Sequence, residues 1–68
     1  MKTASPKDVK AARLRAGLTQ QAAAAVLNSG GRLWRAWESD KGKMPTIKLE
    51  VFLIKTRQLW EYNTTKKV

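Results

Sequence analysis

The chain has 68 residues, of which 14 are basic and 5 acidic, giving a net charge of +9, and it contains neither cysteine nor histidine. That length holds one small domain with a marginal core, and the missing Cys and His exclude disulfides and the usual soft metal sites, so the fold must stand on apolar packing. A field of this sign favours a polyanion as partner, with nucleic acid ahead of a membrane surface.

No apolar run approaches the roughly 20 residues of a membrane span, and the first residues lack the apolar stretch of a signal peptide. A cytoplasmic location is the expectation. Residues 1–5 read as a flexible N-terminus. Ser5-Pro6-Lys7-Asp8 then carries the marks of a helix start: Ser5 can cap, Pro6 suits the first helical position, and Asp8 favours the positive end of the dipole. Val9, Ala12 and Ala16 follow at helical spacing and Gly17 stops the run, which predicts a first helix over 6–16.

Thr19 can cap a second helix over 20–27, opened by Gln20 and Gln21. Alanine at 22–25 gives high helix propensity with little bulk, so another helix can cross closely over it. Asn28-Ser29-Gly30-Gly31 is the strongest turn signal in the chain. Apolar residues resume with Leu33, Trp34 and Trp37, predicting a third helix over 32–39. The two tryptophans, three residues apart, match a buried stripe better than stacking platforms for single-stranded nucleic acid.

A basic loop, Asp40-Lys41-Gly42-Lys43-Met44-Pro45, precedes Thr46, read as the cap of a fourth helix. In that helix Leu49, Phe52 and Leu53 make one apolar stripe, and Ile47, Val51 and Ile54 make a second. One small core does not need both. Leu59, Trp60 and Tyr62 fit a short strand or a last helical turn, and residues 63–68 read as a basic flexible tail.

Arg13 four places before Gly17, the Gly17-Leu18-Thr19-Gln20 opening, Ala24, Trp37-Glu38, and Met44-Pro45 with Phe52 beyond form an ordered set. With these residues the chain resembles the lambda-repressor-like helix-turn-helix domains of the Xre/Cro family, over about residues 7–55, and looks closest to that family's small phage- and plasmid-type regulators. The resemblance implies an all-α, compact four- to five-helix DNA-binding domain over 6–62. It implies that the third helix enters the major groove, commonly as a homodimer on a two-fold operator. It also implies that Glu38 pairs with Arg13, a pair read as structural because a carboxylate near phosphates needs a neutralising arginine.

With Trp34 and Trp37 inward, the outward positions of the third helix are Gly31, Arg32, Arg35 and Ala36. Arg35 is the first candidate for bidentate contact to guanine, and Arg32 for a second base or a flanking phosphate. Gln20 and Gln21, at the start of the second helix, are candidates for phosphate, as are Lys41 and Lys43 in the loop. Lys10, Arg15, Lys66 and Lys67 are weaker candidates. The turn departs from the family pattern, which has a Gly, an apolar residue and a Ser or Thr cap before a polar reading residue. Gly31 supplies no side chain there; the two glycines either let the backbone approach DNA closely or leave a helix start that DNA orders.

An enzyme is not expected, since no acid-base pair, metal cluster or glycine-rich phosphate motif is present; no cofactor, metal, small-molecule ligand or membrane partner is implied. The expectation is a sequence-specific regulator of double-stranded DNA, most simply a repressor. Val51, Ile54, Leu59, Trp60 and Tyr62 are the candidate homodimer surface, unless the terminal segment folds back over the second stripe within one chain. The rival is a protein-interaction module on the same fold, an antitoxin or a phage factor binding host machinery, with secondary DNA binding.

Overall fold

A computed structural model describes residues 2–58. In chain order it contains β1 (Thr3–Ala4), α1 (Pro6–Ala16), α2 (Gln20–Val26), α3 (Gly31–Glu38), β2 (Met44–Pro45) and α4 (Thr46–Lys55). Local chemistry accounts for most boundaries. Ser5 Oγ accepts a hydrogen bond from the Asp8 N–H at 3.2 Å, with Pro6 beginning α1. Gly17, at φ 72°, ends it: its N–H reaches the Leu14 carbonyl and that of Leu18 the Arg13 carbonyl, the paired bonds of a Schellman turn. Thr19 Oγ1 caps α2 through the Ala22 N–H at 3.1 Å.

The end of α2 repeats that geometry with a different residue. Asn28 takes the left-handed conformation at φ 57°, its N–H bonds to the Ala25 carbonyl, and the Ser29 N–H bonds to the Ala24 carbonyl. Asparagine tolerates this region better than other residues with a Cβ, so Gly30 and Gly31 are left free for the start of α3. Gly30 is the N-cap and contributes no side-chain hydrogen bond. Both helices are displaced slightly from expectation, α2 ending at Val26 and α3 running from Gly31 to Glu38.

Two differences are larger. The N-terminal residues expected to be flexible include β1, which pairs antiparallel with β2 in the register Thr3 to Pro45 and Ala4 to Met44. Thr46 is the first residue of α4 rather than its cap, and Pro45 occupies the cap position in an extended conformation. The cause is the ladder, because the Thr46 N–H donates to the Lys2 carbonyl at 3.1 Å and prolongs the pairing into the helix start.

The core takes Val9 and Ala12 from α1, Ala23 and Ala24 from α2, Trp34 and Trp37 from α3, Met44 from β2 and Phe52 from α4. Trp34 is its centre. Its ring lies 4.9 Å from that of Phe52 and 5.6 Å, edge to face, from that of Trp37, and such pairs add about 0.5–1.5 kcal/mol each beyond area burial. The buried methyl groups of Ala23 and Ala24 let α3 approach α2 closely enough to bring both indoles into that space. Leu49 and Leu53 pack against the same cluster. No described helix is long and apolar enough to cross a membrane.

Candidate nucleic-acid interface

The two sides of α3 have opposite chemistry. Trp34 and Trp37 are buried, whereas Arg32 and Arg35 are exposed and Ala36 is half-buried. This follows from helical period: with two indoles three residues apart fixed in the core, positions 32 and 35 must turn outward. Neither guanidinium has a partner among the hydrogen bonds and ion pairs of the described residues, so both are available to a ligand.

Behind that face, Glu38 organises a polar cluster that sets the position of α3. Arg13 Nε donates to Glu38 Oε2 at 2.6 Å and Nη2 to Oε1 at 3.2 Å, while Nη1 holds the Leu18 carbonyl at 3.1 Å. Trp34 Nε1 donates to Oε2 at 2.6 Å and Gln20 Nε2 to Oε1 at 3.2 Å. Burial pushes the Glu38 carboxyl up, but the hydrogen bonds from Arg13, Trp34 and Gln20, with the charge of Arg13, outweigh it and hold the pKa below its ordinary value. Glu38 is thus a fixed anion, and it joins α1, α2 and α3 through one carboxylate.

The candidate phosphate residues fall into different settings. The amide nitrogen of Gln20 is turned inward and donates to Glu38 Oε1. Gln21 is exposed, and its Cα lies 3.4 Å from where a Cβ on Gly31 would stand, so the starts of α2 and α3 abut. Lys41 and Lys43 are exposed in the loop after α3. That loop is held against the helix, since the Gly42 N–H donates to the Ala36 carbonyl and a Cβ on Gly42 would sit 3.3 Å from that of Ala36. The two lysines are therefore exposed on a loop seated against α3. Arg15 is engaged elsewhere, its Nε donating to Gln58 Oε1 at 3.0 Å; Lys10 is exposed.

The chain matches no protein-family model and no curated protein. The geometry of α3 and its surroundings therefore carries the functional reading. Val51 and Ile54 are exposed, and Ile47 joins them one turn earlier on α4, so the second stripe has no cover within the described residues. Leu59, Trp60, Tyr62, Lys66 and Lys67 lie outside the described residues.

Two features went unanticipated. Leu33 is 44% exposed on α3, beside the arginines; placing Trp34 and Trp37 inward on a helical wheel leaves position 33 on a flank, a signal present in the sequence. The Trp34 to Glu38 hydrogen bond spans one helical turn, a spacing at which side chains meet, and a buried indole N–H needs an acceptor.

Proposed function

We propose that the chain is a sequence-specific double-stranded DNA-binding regulator, a repressor of the lambda-repressor-like helix-turn-helix type, reading the major groove with α3 as a homodimer. The observation that carries the reading is α3 itself, its tryptophans in the core it shares with α2 and its Arg32 and Arg35 exposed without a partner among the described residues, in a chain of net charge +9. Arginine is the residue best matched to guanine O6 and N7, and a helix fits the major groove.

In this reading Arg35 and Arg32 contact bases, and Gln21, Lys41 and Lys43 contact phosphates around them. Gln20 works mainly from behind, fixing the start of α2 against Glu38, with its main-chain N–H groups still at the helix end. Val51 and Ile54 join the second protomer, and the two α3 helices then address two half-sites.

Two variants separate base reading from charge. Arg35→Ala reduces discrimination between sequences, by about 1–3 kcal/mol for a bidentate contact. Lys43→Ala weakens all duplexes alike and lowers the salt slope by about 0.9. If Arg35→Ala leaves sequence preference intact, Arg35 is not the main reader of the site.

A further inference from the structure

We infer that Leu33 is a further specificity determinant of α3, one that reads the C5-methyl group of a thymine beside the base contacts of Arg32 and Arg35. This rests on the DNA-binding reading above and extends it to the composition of the site.

Leu33 is the one large aliphatic side chain exposed on α3, at 44%, next to exposed Arg32 on a helix whose other bulky apolar residues are buried. Among the described residues the core, with Trp34, Trp37 and Phe52 at its centre, is formed without Leu33. A helical side chain leans toward the N-terminus and lies over the preceding turn. For Leu33 that turn is Ser29-Gly30, and Gly30 carries no side chain.

The space around Gly30 is open, with no atom within 4 Å of a Cβ built there, whereas a Cβ on Gly31 would stand 3.4 Å from Gln21 Cα. The start of α3 is therefore open backbone at Gly30, one turn before Leu33 on the same side of the helix. Glycine permits close approach of the backbone to a ligand, and an uncharged side chain as short as leucine reaches a base edge only when the backbone comes close. Gly30 and Leu33 thus work together. Among base edges in the major groove, the thymine methyl is the group that an aliphatic side chain recognises.

The test begins with duplexes enriched by the wild-type protein from a randomised library. Each thymine of the enriched site is then replaced by deoxyuridine, which removes the methyl and keeps the pairing. Affinities are measured for wild type, Leu33→Ala and Arg35→Ala. At one thymine per half-site, deoxyuridine weakens wild type by about fourfold, the worth of one buried methyl-sized group. Leu33→Ala loses that sensitivity while retaining its preference for guanine, and Arg35→Ala does the reverse. Circular dichroism checks that Leu33→Ala folds, which its exposure and the helix propensity of alanine favour.

A consensus whose thymines all tolerate deoxyuridine overturns the inference and leaves the regulator reading standing. So does a deoxyuridine effect that survives in Leu33→Ala, because another residue then reads the methyl. Failure to enrich any consensus overturns the regulator reading and this inference with it.

Discussion

Glu38→Gln removes one charge and almost no volume from the cluster behind α3. In the folded chain this carboxylate accepts from Arg13 twice, from Trp34 and from Gln20, and the side chains of Arg13 and Glu38 are only 13% and 6% exposed. Removing one partner of a buried pair costs about 3–5 kcal/mol. Residual access of water to Arg13, and the one acceptor that glutamine keeps, reduce this to about 2–3 kcal/mol. A domain of this length has about 3–10 kcal/mol in total, and each kcal/mol moves the midpoint by about 4–8 °C. Thermal and urea unfolding, followed by circular dichroism and tryptophan fluorescence, should therefore show a midpoint at least about 8 °C lower. An Arg13→Met, Glu38→Gln double variant should be more stable than the sum of the single losses predicts, because neither partner is then left alone. A Glu38→Gln protein within about 0.5 kcal/mol of wild type near neutral pH would refute the assignment of this cluster as the clamp on α3.

The same carboxylate gives acid unfolding its sign. Its folded pKa lies below the unfolded one, so its contribution is complete above about pH 4.3 and is lost as pH falls toward the folded value; the gap between wild type and Glu38→Gln should narrow on acidification, and a gap that widens contradicts the linkage. Val51→Glu, at an exposed position of α4, should turn a dimer into a monomer in sedimentation equilibrium with the unfolding midpoint nearly unchanged; a wild type that is monomeric throughout the micromolar range removes the dimer from the account. Gly42→Val should cost about 1 kcal/mol or more by overpacking against Ala36 and Trp37, and an unchanged urea midpoint would show that the loop is not seated on α3.

What could be read from the chain alone was what local chemistry decides. The Ser5 and Thr19 caps and the Gly17 stop act within a few residues of themselves, so the bounds of α1 and the start of α2 were legible. The tryptophan stripe of α3 and the two stripes of α4 were legible through period. The β1 and β2 ladder was not, since two-residue strands carry no periodicity and their pairing joins residues some forty positions apart. Thr46 was misplaced for the same reason, its N–H being claimed by Lys2 across that ladder. At the candidate site, the outward turn of Arg32 and Arg35 follows from helix geometry. The inward turn of Gln20 does not, because it depends on where the fold brings Glu38.

The most direct test of the account is a titration of an enriched duplex and a scrambled duplex of equal length at two salt concentrations. Specific recognition predicts a difference in affinity of about 10³-fold or more that persists at both salts. Equal affinities that differ only through a steep common salt slope are the product of phosphate neutralisation alone. That result would contradict a reading helix in α3.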